Sequence, residues 1–360
     1  MIKRKKLFCV LLLLAFIISI FFTLPAFSQK KRMKQRPPDK ELKYIDVHMH
    51  ISAKVGNNWD YDGAMKKALF QMNKLGIKKI IIMPPPFTPE NNAKYTYKDL
   101  ASAVKKYPGR FDFLGGGGTL NVMIQKSVKS GKLTEGMKQE FKNVAEDIAG
   151  SGAVGFGELA CEHLSLGPAH GYHSAPPNHP LFLLLADIAA EHNMPVDIHM
   201  EAVPQDMPPS KTLKSDKNPP VLKANIEPFE KLLEHNRKAK IIWDHVGWDN
   251  TGERTVELTR NLLKKHPNLY MSFKICGADS LEKTGPVDSS GNIKAEWLEL
   301  IKEFPDRFVI GADEFISSPR SKKRVGVPSL ESTYKFAGKL PPNLIQKLYI
   351  ENPKSIFNLK

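Results

Sequence analysis

The chain has 360 residues, of which 41% are hydrophobic and 25% are charged, and its formal net charge is +15. This length and composition exclude a small disulfide-stapled domain and a largely disordered chain, and they suit one large α/β domain. The positive charge lies in scattered lysine pairs such as Lys66-Lys67, and arginine and aromatic residues are not interleaved as they are in chains that grip nucleic acid. We therefore expect no nucleic-acid partner, whereas a small anionic molecule would be attracted.

The first 28 residues have the pattern of an export signal. The basic segment Lys3 to Lys6 precedes an almost wholly apolar run over residues 7–24, and a small-x-small cleavage site ends at Ser28. We predict a signal peptide over residues 1–28, export to the periplasm or the cell exterior, and no stable membrane insertion after cleavage. The alternative is an uncleaved N-terminal anchor, since an apolar run of this length just reaches across a bilayer. Cleavage would remove four basic residues and no acidic one, which lowers the net charge from +15 to +11.

Residues 29–43 are polar and basic with a proline pair, which predicts an extended linker, and we expect one domain over residues 44–360. Within that domain, eight short apolar runs alternate with segments of 3.6-residue periodicity. The apolar runs cover residues 44–47, 77–83, 111–114, 153–159, 195–199, 239–246, 269–276 and 307–312. The helical periodicity is clearest over residues 63–75, 133–149, 181–192, 228–236, 255–266 and 293–304. Strands that alternate with helices form parallel βα units, so the sequence predicts an α/β fold, a (β/α)8 TIM barrel.

Polar side chains of the kinds that bind metals stand at the ends of several predicted strands. His48 and His50 end the first run two residues apart, a spacing that puts both side chains on one face of a strand. Further residues of this kind end later runs, namely Glu158, His199, His245 and Asp313. Because the C-terminal strand ends of a barrel converge on one mouth, we predict a metal site at that mouth.

The predicted ligands of this site are His48, His50, His199 and Asp313. Three imidazole nitrogens and a carboxylate suit Zn²⁺ or a similar divalent ion, with at least one position left for water. Such an ion lowers the pKa of bound water to about 7, which makes hydroxide available at neutral pH. Asp313 would then also act as the general base, and His245 would polarise a substrate carbonyl or stabilise the oxyanion.

These residues resemble the amidohydrolase superfamily, particularly its amidohydrolase-related branch. The resemblance covers residues 44–360 and rests on Ile-Asp-Val-His-Met-His over residues 45–50, on His199, on His245-Val-Gly and on Gly-Ala-Asp313. It implies a barrel with one or two divalent ions that acts on amide, ester, lactone or related bonds, or that removes carbon dioxide. Glu158 stands where some members carry a carbamylated lysine, and it is similar to the bridging glutamate of TatD-type nucleases. Glu158 is therefore either a metal ligand or a carboxylate that only positions water.

Two further residues are candidates for substrate binding. Lys274, on the same face of the seventh strand as Ser272, either holds a substrate carboxylate or caps the barrel mouth. His173 lies in a histidine-rich loop after the fourth strand, together with His163, His170 and His179. This loop either contacts or gates the substrate, or it is solvated and has no part in the chemistry.

The leading hypothesis is a metal-dependent hydrolase that attacks a small organic substrate with a metal-activated water. The alternatives are a non-oxidative decarboxylase with the same ligands, a TatD-like nuclease, and a barrel that binds a ligand without turnover. Release of carbon dioxide from carboxylates would identify the first alternative, and metal-dependent DNA cleavage would identify the second. Substrate specificity depends on loop shapes that a sequence does not reveal.

Overall fold

The computed structural model describes residues 44–91, 95–167, 170–213, 215–275, 284–321 and 328–360. The predicted signal peptide over residues 1–28, the predicted linker over residues 29–43 and the end of the seventh predicted run at Cys276 lie outside these ranges. Among the residues that are described, no helix is both long enough and apolar enough to cross a membrane.

Eight parallel strands form a closed barrel. They are β1 (Tyr44–Ser52), β2 (Ile77–Ile82), β3 (Phe111–Phe113 and Gly115–Gly116), β4 (Phe156–His163), β5 (Pro195–Met200), β6 (Lys240–Val246), β7 (Leu269–Phe273) and β8 (Phe308–Ile310 and Glu314–Ser317). Each strand pairs in parallel with the next along the chain, and the second part of β8 pairs with β1. The predicted (β/α)8 barrel is therefore confirmed.

Helices follow the strands around the outside of the barrel. They are α1 (Tyr61–Leu75), α2 (Tyr97–Val104), α3 (Leu120–Ser130), α4 (Glu135–Gly150), α5 (Pro180–Glu191), α6 (Ile226–His235), α7 (Val256–Lys265), α8 (Ala295–Glu303), α9 (Pro328–Ala337), α10 (Pro342–Gln346) and α11 (Asn352–Ile356), with a π-helical turn at Lys347–Glu351. Local signals begin several of them: the Asp60 side chain accepts a hydrogen bond from the Gly63 amide at the start of α1, and Thr96 and Asp99 form a capping box on α2. The six segments with the clearest predicted periodicity match helices to within two residues at each end.

Two short pairs of antiparallel strands lie in the loops at the C-terminal face of the barrel. Lys54–Val55 pairs with Asn58–Trp59 to form a small hairpin between β1 and α1, and His173–Ser174 pairs with the end of β4. Both lie in loops that follow barrel strands, where the functional residues of barrels concentrate.

A bulge in β1 lets one strand serve both the core and the site. Ile45 and Val47 belong to a buried cluster with residues of β2, β3, β6 and β8, which places their side chains inside the barrel. The pairing of β1 with β2 shifts register between Asp46 and Met49. Because a bulge inserts one extra residue, the next inward-facing positions are His48 and His50. The barrel is thus packed with apolar side chains below and lined by histidines above.

The glycines after Phe113 are required by close backbone approach, because the chain turns there directly into α3. A Cβ atom added at Gly118 would lie 1.9 Å from the carbonyl oxygen of Tyr95, and one added at Gly117 would lie 2.2 Å from that of Pro84. We expect Gly118→Ala to lower the free energy of unfolding by about 2 to 4 kcal/mol, measured by chemical denaturation, since neither backbone can yield cheaply.

The matched control is Gly150→Ala at the end of α4, where an added Cβ meets nothing within 4 Å. The free energy of unfolding of that variant should lie within about 0.5 kcal/mol of the parent value. Equal stabilities of the two alanine variants would show that the approach at Gly118 is not tight.

Candidate metal centre

His48 and His50 lie side by side at the barrel mouth with their Nε2 atoms 3.3 Å apart. Both side chains are buried. The Nδ1–H of His50 donates to the carbonyl oxygen of Met83 over 2.9 Å, which orients the ring and leaves Nε2 for the interior of the mouth. Two imidazole nitrogens at this separation can bind one ion at bond lengths of about 2.0–2.1 Å.

Two carboxylates complete the surroundings of this histidine pair. The Oδ1 atom of Asp313 lies 3.0 Å from His50 Nε2 and 3.7 Å from His48 Nε2. The Oε2 atom of Glu158 lies 3.2 Å and 3.6 Å from the same two nitrogens. Side chains from β1, β4 and the break in β8 therefore meet around one point.

The other oxygen of Glu158 faces a second pair of histidines. Its Oε1 atom lies 2.8 Å from His199 Nδ1 and 3.1 Å from His245 Nε2. Asp313 also approaches this pair, with Oδ2 3.8 Å from His245 Nε2. Glu158 thus lies close to all four histidines, and the ring of His245 lies 4.8 Å from that of His48 and 4.7 Å from that of His199, so His245 adjoins both.

The backbone is held in unusual conformations at two of these residues. His245 and Asp313 adopt left-handed φ values of 62° and 48°, which are uncommon outside glycine and cluster at functional sites. The amide of Asp313 donates to the carbonyl of His48 over 2.9 Å, which ties the break in β8 to β1. Gly311, two residues earlier, makes room for His48, because a Cβ there would lie 2.5 Å from His48 Cβ.

Three buried aspartates support His48 from below, and the sequence did not single them out. The Nδ1 atom of His48 lies 3.4 Å from Asp197 Oδ1 and 3.7 Å from Asp244 Oδ1. Asp46 accepts hydrogen bonds from the backbone amides of His48 and Ala312. Each aspartate stands one or two positions before a strand-end histidine, a signal that was available in the sequence. A carboxylate behind a histidine fixes the orientation of the ring and raises its basicity.

The contacts within the cluster shift the pKa values of its members in opposite directions. Burial disfavours the charge on Glu158, but hydrogen bonds with His199 and His245 outweigh burial and hold its pKa well below the usual value. The pKa of Asp313 is likewise held well below the usual value, because Lys274 and the nearby histidines outweigh burial. Both carboxylates are therefore ionised at neutral pH, which is the form that binds a cation.

The pKa values of His50 and His245 shift in opposite directions. Burial favours the neutral ring of His50, but Asp313 and Glu158 outweigh burial and raise its pKa to about 9. Burial lowers the pKa of His245 to about 3 and outweighs the influence of Asp313 and Glu158, so this ring is neutral over the physiological range.

Lys274 lies beside Asp313, where its Nζ donates to Oδ2 over 2.6 Å. The same Nζ lies 3.7 Å from the centre of the Trp248 ring, a cation–π contact. Trp248 in turn packs edge-on against His199 and His245. No pattern in the sequence singled out this tryptophan. Lys274 is thus at the site and is bound to a carboxylate of the protein itself.

The histidine-rich loop reaches the site through one residue. The ring of His163, the last residue of β4, lies 4.4 Å from that of His199, and it also contacts His170 and His173. Burial lowers the pKa of His173 to about 4, so its ring is neutral at pH 7. His179 is separate, because its Nδ1 caps the start of α5 at the Leu181 amide. Among the described ring contacts, His173 reaches His199 through the ring of His163.

The donor set fits a divalent cation. Two groups of donors that share His48, namely His48 with His50 and Asp313 and His48 with Glu158 and His245, each have ligand atoms within 4.8 Å of one another, which is close enough to surround an ion. These donors suit Zn²⁺ and related transition ions, and carboxylates also suit Mn²⁺.

A closed (β/α)8 barrel with a histidine and carboxylate cluster at its C-terminal mouth defines an enzyme of the metal-dependent hydrolase superfamily. The chain belongs to the amidohydrolase family, because the sequence profile of that family matches residues 143–359.

Solved structures with the same fold differ greatly in sequence from this chain. A variant of an organophosphorus hydrolase from Deinococcus radiodurans has a TM-score of 0.52 and 13% identity, over 88% of this chain and 94% of the other. A probable 2-pyrone-4,6-dicarboxylic acid hydrolase from Acinetobacter baumannii, with citric acid bound, has a TM-score of 0.50 and 15% identity, over 88% and 99%. A dihydroxybenzoic acid decarboxylase from Polaromonas sp. JS666, with bound manganese, has a TM-score of 0.49 and 11% identity, over 88% and 97%. No curated protein sequence is significantly similar to the chain. The first two likenesses show the shared fold and do not extend to the substrate.

Proposed function

We propose that this protein is a metal-dependent hydrolase that cleaves an amide, ester or lactone bond of a small organic molecule outside the cytoplasm. The observation that carries the proposal is the position of Glu158, whose Oε2 atom faces His48 and His50 and whose Oε1 atom faces His199 and His245. A carboxylate placed in this way can hold two ions close together, an arrangement that suits hydrolytic chemistry.

The ligands divide between two positions. His48, His50, Asp313 and the Oε2 atom of Glu158 would hold one ion. His199, His245 and the Oε1 atom of Glu158 would hold a second ion, and Zn²⁺ is the ion that this donor set favours. With only the first position filled, His245 is left neutral and directed at the mouth, where it can donate a hydrogen bond to a substrate carbonyl.

A divalent ion bound here would supply Lewis acidity and a water of lowered pKa. The protein's own groups handle the proton. Asp313 is ionised and lies at the mouth, where Lys274 fixes its Oδ2 atom. Its position beside the ion would let the carboxylate accept a proton from the attacking water. The protonated Asp313 can then pass that proton to the leaving atom, which restores the carboxylate.

Non-oxidative decarboxylation is a second candidate, and the position of Lys274 favours it. An ammonium group beside Asp313 and over Trp248 can hold the carboxylate of an acid substrate at the mouth. In that reaction the metal held by the same ligands would bind the acid substrate, and no water would attack.

The test uses metal-loaded protein and a substrate panel of esters, lactones, amides and aryl carboxylates. Acid release from esters and lactones is followed by pH-stat, amine release from amides by chromatography, and carbon dioxide by gas analysis. We expect acid release that disappears after treatment with a chelator and returns when Zn²⁺ is added back. Release of carbon dioxide without hydrolysis would replace the proposal by decarboxylation. Metal-dependent cleavage of DNA without turnover of the small molecules would replace it by a nuclease.

A further inference from the structure

A cavity of about 600 Å³ lies beside the metal centre, at the ends of β1, β2 and β8. Four of its thirteen lining residues are aromatic, namely Trp59, Phe87, Tyr95 and Phe315. Rings in such an arrangement favour a flat apolar ligand over an extended polar one.

The cavity shares its inner wall with the metal centre. The ring of Phe315 lies 4.4 Å from the ring of His50, centre to centre. The hydroxyl of Tyr95 donates to the carbonyl of Met83, the same oxygen that the Nδ1–H of His50 contacts. A ligand in the cavity therefore lies next to the residues that position His50.

The outer part of the cavity is positively charged. Lys54 and Arg320 line it, and no acidic side chain of the described residues does. The nearby carboxylate of Asp60 accepts hydrogen bonds from the hydroxyl of Ser318 and the amide of Gly63, and the charge of Arg320 also acts on it. An anionic group on a ligand would find two cations here and no carboxylate in the lining to repel it.

The aromatic residues at the opening are exposed to an unusual degree. Trp59 is 39% exposed and Phe315 is 41% exposed, and they are two of the five large hydrophobic side chains exposed in the described residues. Both line this one cavity. Exposed apolar side chains that are grouped around a concave surface mark a binding site more often than scattered ones do.

We propose that this cavity binds the ring of an organic anion, with the ring among Trp59, Phe87, Tyr95 and Phe315 and the anionic group beside Lys54 and Arg320. The binding itself is independent of the proposed hydrolysis. The further assignment, that the reacting bond points from the cavity toward His50, rests on the proposed function. The hairpin at Lys54–Val55 and Asn58–Trp59 supplies one cation and one ring, so it is the specificity element of the site.

The experiment measures binding by calorimetry at low ionic strength, with chelator-treated full-length protein so that no ion competes for the anion. The probes are benzenesulfonate, its neutral analogue benzenesulfonamide, and methanesulfonate, which has the charge but no ring. We expect benzenesulfonate to bind more tightly than either of the other probes by about tenfold, because only it satisfies the rings and the cations together.

The variants separate the two contributions. The double variant Lys54→Gln with Arg320→Gln should lower the affinity for benzenesulfonate by about three- to tenfold. Its affinity for benzenesulfonamide should stay within about twofold of the parent value. Trp59→Ala should weaken both ring-bearing probes by about fivefold. Phe315→Leu serves as a second ring variant, and thermal melts confirm that each variant folds.

Matched controls lie on the outer surface. Phe70 on α1 is 66% exposed and is not part of the cavity, so Phe70→Ala controls for the loss of an exposed ring. Lys264→Gln with Arg260→Gln controls for the loss of two cations, because these residues pair with Glu303 on the surface. Both controls should bind the probes as the parent does.

Parental affinity for benzenesulfonate in the ring and charge variants would overturn the proposal, and so would equal binding of the sulfonate and the sulfonamide. Because the assay contains no metal, its outcome is separate from that of the proposed function. Selective binding without any hydrolysis would leave the cavity assignment in place and remove the hydrolase. Hydrolysis without selective binding would support the hydrolase and remove the cavity assignment.

Discussion

Protein in which His48 and His50 are both replaced by alanine is expected to lose at least one divalent ion per chain. The parent, purified without chelators, should carry one or two ions per chain by elemental mass spectrometry. The two Nε2 atoms lie 3.3 Å apart and are within 3.0 to 3.7 Å of Asp313 and Glu158, so the double variant removes half of the donors around one point. The two remaining carboxylates alone bind transition ions far more weakly than the full set does.

The amount of metal lost distinguishes the two arrangements of ligands. A fall from two ions to one would show that His199, His245 and Glu158 hold an ion by themselves, whereas a fall to none would show that the two positions are coupled. The matched control is His192→Ala with His235→Ala, since these surface histidines pair with Glu146 and Asp187. Parental metal content in the His48 and His50 variant would show that neither histidine is a ligand.

Turnover of Asp313→Asn is expected to fall by about 10² to 10⁴, the contribution of a positioned general base. Asparagine keeps the size of the side chain and an oxygen that can contact an ion, but it cannot accept the proton of the attacking water. The pKa of Asp313 is held well below the usual value, because the charge of Lys274 and the contact with His50 outweigh burial, so the carboxylate is ionised at neutral pH. Metal content should fall much less than turnover does.

This prediction is checked by measuring kcat and metal content on the same preparation. Asp306→Asn is the matched control, because Asp306 is an exposed aspartate paired with Lys347, far from the mouth. Near-parental turnover with full metal in Asp313→Asn would remove Asp313 from the base role. The next groups to test would then be His245, whose Nε2 lies 3.8 Å from Asp313, and Glu158, which lies 3.1 Å from the same nitrogen.

The barrel itself could be predicted from sequence because its strands are buried on both faces and its helices on one. Parallel strands covered by helices appear as short, nearly continuous apolar runs, and the eight runs all became barrel strands. Amphipathic helices leave a 3.6-residue period, which located α1, α4, α5, α6, α7 and α8. Two details were beyond this reasoning. The predicted run over residues 153–159 begins and ends too early, because β4 extends from Phe156 to His163. The glycines at Gly115–Gly116, which follow the third predicted run, belong to β3.

The candidate residues of the centre could also be found in the sequence, because the C-terminal ends of barrel strands converge. Their mutual contacts could not. The structure places His199 against Glu158, 41 residues earlier in the chain, and beside His245. That His199 binds the same ion as His48 and His50 stays a prediction. The supporting roles of Asp197, Trp248 and Lys274 depend on the same three-dimensional arrangement.

By itself, the sequence determined the strand and helix pattern of this protein and the polar residues that end its strands, because periodicity and chain order are local properties. Only the tertiary structure decided which oxygen of Glu158 faces which histidine, and that the hairpin after β1 meets Arg320 and Phe315 around one cavity. Those contacts join residues that are distant in the chain. Their distances depend on the bulge in β1, on the left-handed backbone at His245 and Asp313, and on the closure of β8 against β1, none of which leaves a local mark in the sequence.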